Sequence, residues 1–294
     1  MEKNSYNAVF VILDIGLMIE NSSVFQAQDV DQVVAIKKLG YSPLVVCVSR
    51  DRDLFQLVAG DKLDCHDIPF VLVEDCGLLK NIISFALILK KLNKARKIVQ
   101  IYIRGLWAAF PVLLAAPIRR LSYVYDVRGD SIDESIARGR PRFRIVLVQI
   151  LENFVIRQAS YVTSVSSQLA QNIAARAGLK IMPEVIPSCI DSASFSFSTS
   201  ERAIRRSLLG YDDEDIVFVF SGGMAHYQMI PEMLALWRGM LSLSKNIKFL
   251  LMINSDPSSL DHSVGGLDVF GDRLKILNLP RLNVYEYLCA ADVG

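Results

Sequence analysis

The sequence predicts an α/β protein of two Rossmann-like domains, each a parallel sheet covered by helices, with the second domain incomplete. Its 294 residues exceed one typical domain, for which about 150 residues is the usual prior. Short apolar runs alternate with helix-like runs along the chain, as in parallel sheets. Hydrophobic residues make up 52% of the chain, which favours large buried sheets or contact with a membrane surface.

The first domain is predicted to cover residues 1–190. Its expected strands are 8–13, 44–48, 70–73, 98–103, 123–127, 161–165 and 184–186. Its expected helices are 26–39, 78–92, 106–118, 143–159 and 167–177. Gly40 follows the first helix at the position where a left-handed cap is favoured.

One helix of this domain carries an apolar stripe at helical spacing. Its members are Phe143, Leu147, Ile150, Leu151 and Phe154. Such a stripe usually faces the core, and this is its simplest interpretation. Glu152 on the same helix is explained by a cap or a surface ion pair.

Residues 191–214 are predicted to form a linker and residues 215–294 an incomplete second domain. The second domain is expected to contain strands 216–220, 248–253 and 274–277 and helices 230–243 and 284–290. A complete doubly wound domain needs about five or six strands. The chain is therefore interpreted as a fragment of a longer protein or an early-stop product, with an open sheet edge. Five apolar residues that a complete domain would cover, Phe218, Phe220, Phe249, Leu251 and Ile276, are expected to leave exposed patches.

Composition excludes several classes of protein. A net charge of +1 and 21% charged residues argue against a nucleic-acid-binding face. The five cysteines have no C-x-x-C spacing, so neither a disulfide framework nor a zinc site is expected and a cytoplasmic location fits. The longest apolar runs are shorter than the ~20 residues of a membrane span.

Four basic residues lie next to the start of the helix at 143–159. They are Arg138, Arg140, Arg142 and Arg144. Next to an apolar helix, these arginines suit contact with anionic lipid at the inner face of a membrane. A solvated face is the alternative.

Five segments carry a family resemblance in their order along the chain. They are Tyr125–Gly129 (YDVRG), Val162–Ser167 (VTSVSS), Val185–Phe195 (VIPSCIDSASF), Ile216–Gly223 (IVFVFSGG) and Tyr287–Gly294 (YLCAADVG). Together they resemble the family 4 glycosyltransferases with the GT-B fold. The resemblance implies transfer of a sugar, of hexosyl type, from a nucleotide-activated donor to a hydroxyl acceptor, without a metal or other cofactor. It points to assembly of cell-surface polysaccharide or glycolipid, with an acceptor that is lipid-linked in some members.

Three loops at the carboxyl ends of strands are the candidate sites, since ligands of open α/β sheets bind there. In the first, Gly16 and Asn21 are expected to contact the acceptor. An ordinary polar loop with a helix cap is the alternative. The family loop usually carries more glycines than this one.

In the second loop, Asp126 and Arg128 are interpreted as catalytic. Charges of both signs after an apolar strand suit recognition of hydroxyls and phosphates, and arginine offers paired donors. A surface salt-bridge cluster is the alternative. Tyr125 stands where many family members have a histidine, so a histidine-dependent role is not expected.

In the third loop, Gly222, Gly223 and His226 are expected to bind the donor, because small residues let backbone amides approach a diphosphate. A lone loop histidine is more often solvated. The family's basic pair in this region is absent, and the chain ends before its E-x7-E segment. The chain itself is therefore expected to be inactive, and a non-catalytic scaffold that keeps only the acceptor-side domain is the alternative function.

Overall fold

The structure is a computed structural model that describes residues 8–12, 29–49, 51–95, 98–115, 121–189, 196–224, 228–253, 266–279 and 281–294. The chain divides into two compact units, Met1–Cys189 and Ile190–Gly294. Three predicted site residues, Gly16, Asn21 and His226, lie outside the described residues.

A parallel sheet of seven strands, in the order β3-β2-β1-β4-β5-β6-β7, forms the centre of the first unit. Its strands are β1 (Ala8–Ile12), β2 (Pro43–Ser49), β3 (Phe70–Glu74), β4 (Ile101–Arg104), β5 (Tyr123–Val127), β6 (Tyr161–Ser164) and β7 (Glu184–Val185). All neighbouring strands pair in parallel. The α/β class with a parallel sheet, predicted from the alternating pattern, is confirmed.

Helices connect these strands. They are α1 (Asp31–Lys38), α2 (Arg52–Phe55), α3 (Asp61–Cys65), α4 (Leu78–Lys94), α5 (Leu106–Ala115), α6 (Ser131–Ala137), α7 (Arg142–Gln158) and α8 (Ser167–Ala177). A π-helical turn, Gln56–Gly60, joins α2 to α3. Gly40 follows α1 with a φ of 87°, as expected of a left-handed cap. The short helices α2, α3 and α6 were not predicted, because segments of four to seven residues are too short to show a helical period.

Burial in the first unit follows the sheet. All seven residues of β2 are buried, as expected for a strand of a parallel sheet that is covered on both faces. Phe85 and Leu89 of α4 and Val155 of α7 are fully buried in the same core. Each such side chain stabilises the fold by about 1.5–3 kcal/mol through burial alone.

The predicted orientation of the apolar stripe on α7 is wrong. Phe143, Leu147, Ile150 and Phe154 are between 51% and 69% exposed, and of the stripe Leu151 alone packs against the core. The buried residues of α7 are instead Glu152, Val155 and Ile156. Apolar residues occur on both sides of this helix, so its periodicity does not identify the side that faces the sheet.

The second unit contains a parallel sheet of three strands in the order β10-β9-β8. Its strands are β8 (Ile216–Gly222), β9 (Ile247–Ile253) and β10 (Leu274–Leu277). Its helices are α9 (Thr199–Leu209), α10 (Ile230–Met240) and α11 (Arg281–Leu288), with a 3-10 segment at Asp268–Arg273. Helix α9 lies in this unit, within the segment that the sequence predicts as a linker.

The expected exposure is wrong for Phe249 and Leu251, which are fully buried. Phe218, Phe220 and Ile276 are half-buried and pack against the same core. Trp237 of α10 stacks on Phe249 with ring centroids 4.8 Å apart, and Phe270 meets the same ring edge-on at 5.6 Å. The edge of β8 that faces away from β9 is also partly paired, since the backbone N–H of Val219 donates to the carbonyl of Val293 at 2.8 Å. The described strands of the second unit therefore have a packed core.

Candidate functional site

Asp126 occupies the carboxyl end of β5 and is placed by the register of the sheet. It pairs with Arg104 of β4 on one side and with Thr163 of β6 on the other. Residues in register on parallel strands point to the same face of the sheet. The side chains of these three residues therefore meet, although 22 and 37 positions separate Asp126 from Arg104 and Thr163 in sequence.

Three side chains donate hydrogen bonds to the Asp126 carboxylate. Arg104 donates from Nε and Nη2 to Oδ2, at 3.2 Å and 3.1 Å. Arg128 donates from Nε to the same oxygen at 2.7 Å, and Thr163 donates from its hydroxyl to Oδ1 at 2.7 Å. The Asp126 side chain is only 8% exposed. These residues therefore form a salt-bridge cluster, as in the alternative drawn from the sequence, but the cluster is buried and not at the surface.

Arg104 links Asp126 to the start of α1. Its Nη1 donates to Oδ1 of Asp29 at 2.6 Å, and its Nη2 donates to the Gln32 side-chain oxygen at 2.7 Å. Asp29 is 2% exposed, and its Oδ2 has no hydrogen-bond partner among the described residues. The arrangement is a buried row of alternating charges, Asp29, Arg104, Asp126 and Arg128, which we call the charge row.

The two carboxyl groups of the charge row differ in their acidity. Burial raises the pKa of Asp126, but the charge of Arg104 and the hydrogen bonds from Arg128 and Thr163 outweigh it, so this pKa lies below its usual value. For Asp29 burial dominates; the Arg104 charge opposes it only in part, and the pKa rises to about 6. Asp126 is therefore a fixed anion, whereas Asp29 takes up a proton in weakly acidic solution.

This raised pKa predicts a dependence of stability on pH. A folded pKa of about 6, above the unfolded value of about 3.9, contributes stability below pH 4 that is lost as the pH rises through 6. Relative to Asp29→Asn, which cannot titrate, the native first unit should lose roughly 2 kcal/mol of unfolding free energy between pH 4 and pH 7. Urea unfolding at several pH values measures this difference. Parallel stability curves for the two proteins would contradict the prediction.

A cleft of about 650 Å³ lies in the first unit beside the charge row. Its polar lining includes Gln32, Asp126, Arg128 and Thr163. Arg128 donates a hydrogen bond from Nε to Asp126. Its two Nη atoms make no hydrogen bond with residues in the described ranges. A guanidinium whose inner nitrogen is fixed by a carboxylate presents its outer donors in one orientation. The arrangement suits a ligand that carries hydroxyl or phosphate oxygens.

Glu152 is not in a surface ion pair, contrary to one of the two explanations drawn from the sequence. It is 3% exposed and accepts hydrogen bonds from Tyr125 at 3.1 Å, Ser131 at 2.6 Å and Arg176 at 2.5 Å. Tyr125 and Asp126 are consecutive in β5, so Glu152 lies on the face of the sheet opposite Asp126. It stabilises packing of α7 and α8 and is separate from the charge row.

The predicted glycines of the second unit lie at the carboxyl end of β8. Gly222 is the last residue of the strand and pairs with Ile253, and Gly223 follows it. A Cβ atom at Gly222 would lie 3.0 Å from the Phe220 ring, so a larger residue would have to displace that ring. The structure thus contains the short, small-residue strand end that the sequence predicts.

Sequence reasoning missed Arg104, Asp29 and Gln32. A signal for Arg104 was present, because an Arg-Gly pair, Arg104-Gly105, stands at the end of β4 as Arg128-Gly129 does at the end of β5. Asp29 and Gln32 had no comparable signal. They are 75 and 72 positions from Arg104 in sequence, and only the strand order brings them to it.

Residues 30–188 match the glycosyl transferase 4-like domain, a region that includes every residue of the charge row except Asp29. No curated protein matches the chain in sequence. In the described part of the chain, no helix has the length and apolar character that a bilayer span requires.

Several solved structures are similar in fold. Anabaena HepE, in complex with UDP and glucose, superposes with a TM-score of 0.67 at 17% identity, over 98% of this chain and 73% of that one. Sucrose-phosphate synthase from Thermosynechococcus elongatus gives a TM-score of 0.69 at 14% identity, over 97% and 74%. A UDP-N-acetylglucosamine 2-epimerase from Listeria monocytogenes gives 0.58 at 11% identity, over 98% and 73%. At these identities the similarity concerns the fold alone, and it supports the predicted GT-B class.

Proposed function

Because the chain belongs to the glycosyl transferase 4-like family, we propose that it transfers a sugar from a nucleotide sugar to a hydroxyl acceptor. We further propose that this reaction serves the assembly of cell-surface polysaccharide or glycolipid. Among the structural neighbours, HepE has been solved with UDP-glucose. UDP sugars are therefore the first donors to test. The first unit would bind the acceptor and the second unit the donor.

The observation that carries this proposal is the position of Arg128 in the charge row. Asp126 is a poor general base, because its pKa lies below the usual value and three residues already donate to it. We assign it a positioning role: it fixes the Arg128 guanidinium at the cleft. Arg128 is the residue that would touch the substrate and stabilise negative charge during transfer.

Replacement of Arg128 by glutamine is expected to lower kcat about 100-fold, the usual effect of losing one donor that stabilises developing charge. Lys245→Gln, at an exposed lysine between α10 and β9 in the second unit, is the control and should leave kcat unchanged. Release of nucleoside diphosphate from a panel of nucleotide sugars, with membrane lipid extract as acceptor, measures both variants. Equal rates for Arg128→Gln and the native chain would remove Arg128 from the site.

The donor would bind at Gly222 and Gly223, with His226 in the same loop, because the small strand end lets backbone amides approach a diphosphate. Gly222→Val, which forces the Phe220 ring aside, should weaken nucleotide-sugar binding at least tenfold in calorimetric titration. Gly239→Val, at a position with no atom within 4 Å of the added Cβ, is the matched control. Equal affinities for the two variants would place the donor elsewhere.

The acceptor is proposed to be lipid-linked and to meet the chain at the inner face of a membrane, with Gly16 and Asn21 in the acceptor loop. The competing function follows from the expectation that the chain, which lacks the family's basic pair and E-x7-E segment, is inactive by itself: it is a scaffold that binds the acceptor without transferring sugar. The two differ in the titration: a transferase binds nucleotide sugars and releases diphosphate, whereas a scaffold does neither.

A further inference from the structure

Three neighbouring helices of the first unit present apolar side chains outward. Helix α4 packs against α5, and α5 packs against α7. The residues Leu79, Ile83 and Leu87 of α4 and Phe143, Leu147 and Ile150 of α7 are between 53% and 76% exposed. We call these six residues the apolar helix face.

The spacing of these residues shows that they share one side of each helix. Leu79, Ile83 and Leu87 are four positions apart, and Phe143, Leu147 and Ile150 are four and three apart, which places each set on one helical stripe. The opposite side of each helix is in the core, through residues such as Phe85 and Val155. Because both helices lie with α5 in one layer over the sheet, the two stripes point away from the sheet together.

Single exposed apolar residues are common on soluble proteins, but a continuous exposed patch of several hundred Å² normally marks a binding surface. Between the two stripes, α5 adds Trp107 and Leu114, which are 39% and 53% exposed. With these two residues of α5, the exposed apolar surface covers parts of three helices. Core packing does not explain it, because the described core lies on the other side of these helices.

The charged residues of these three helices are almost all basic. Helix α4 carries four lysines, and α7 carries Arg142 and Arg144 at its start. Neither α4 nor α5 contains an acidic residue, and the one acidic residue of α7, Glu152, is buried against Arg176. The Arg144 guanidinium lies 5.8 Å from the centre of the Phe143 ring, so a cation and an exposed aromatic side chain are neighbours.

We propose that the apolar helix face rests on the surface of a bilayer containing anionic lipids, with α4 and α7 lying in the plane of the interface. A bilayer supplies both complements, an apolar interior for the stripes and negative headgroups for the flanking cations. A second copy of the chain would supply an apolar surface but no negative charge, because two such faces brought together would place their lysines and arginines against each other. For the proposed function, this face is the surface that would meet a lipid-linked acceptor. Binding of the chain to vesicles can be measured without sugar transfer.

The test is sedimentation of the full chain with vesicles of phosphatidylcholine alone and of phosphatidylcholine with phosphatidylglycerol at 3:1. Binding is expected to the anionic vesicles and to weaken as salt rises. Leu87→Glu/Ile150→Glu should lower the partition coefficient at least tenfold. Leu208→Glu/Leu236→Glu, at leucines of the second unit that are 65% and 66% exposed, is the matched control and should change nothing.

A second variant tests how much the arginine charges contribute to vesicle binding. Arg142→Gln/Arg144→Gln should lower binding to anionic vesicles by roughly fivefold for each arginine and leave circular dichroism unchanged. In a Trp237→Phe background, Trp107 is the chain's remaining tryptophan, and its emission should shift to the blue on binding.

Three results would overturn the inference. One is binding to neither type of vesicle, and another is an equal loss in both leucine variants. The third is a dimer that Leu87→Glu/Ile150→Glu abolishes in the absence of vesicle binding, since it would make the face an interface between two copies.

Discussion

Replacing Asp126 with alanine should lower the unfolding free energy of the first unit by about 3–5 kcal/mol, the usual cost of removing one partner from a buried ion pair. The substitution leaves Arg104 and Arg128 without their shared carboxylate, and their side chains are only 12% and 17% exposed. It also leaves the Thr163 hydroxyl without its acceptor. The same change should abolish measurable transfer, because Arg128 loses the group that fixes it.

Urea unfolding followed by Trp107 fluorescence in a Trp237→Phe background measures this effect, since the two tryptophans lie in different units. Asp133→Ala, at an exposed carboxylate on α6, is the control and should change stability by less than about 0.5 kcal/mol. A loss for Asp126→Ala as small as that of the control would show that the charge row contributes nothing to stability.

Replacing Arg206 with alanine should have a comparable effect on the second unit, a loss of about 3–5 kcal/mol. Arg206 is 2% exposed. Its guanidinium donates to the carbonyls of Ala290 at 2.9 Å and Asp212 at 2.7 Å, to that of Asp215, and to the Asp292 carboxylate at 3.2 Å. Truncation therefore removes the donors of several buried acceptors, each of which is costly to leave unsatisfied.

Arg205→Ala is the matched control for Arg206, because the two arginines are adjacent on α9. Arg205 pairs with Glu201 and Glu286, whose side chains are 35% and 41% exposed and can be hydrated when the arginine is removed. Its loss should cost about 1 kcal/mol or less. Trp237 fluorescence in a Trp107→Phe background reports on both variants. Equal losses for the two would show that burial of Arg206 does not determine its contribution.

Much of the fold was predictable because the relevant signals are local. The strands β2, β5 and β9 are mainly apolar runs that contain several β-branched or aromatic residues, and such short runs are typical of buried parallel strands. The position of Asp126 and Arg128 at the carboxyl end of β5 was predictable for the same reason. A strand that ends in charged residues places them at the carboxyl end of the sheet, whatever its neighbours are.

Local sequence patterns therefore suffice to predict the α/β class, the strand positions and the segment that carries Asp126 and Arg128. Only the three-dimensional structure shows that Asp126 is buried among Arg104, Arg128 and Thr163 and that Asp29 belongs to the charge row. It also shows that the apolar stripe on α7 faces outward. The physical reason is the range of the interactions. Helical and strand periods arise from neighbours within a few residues, whereas the burial of a charge and the inward side of a helix depend on partners supplied by strand order and register.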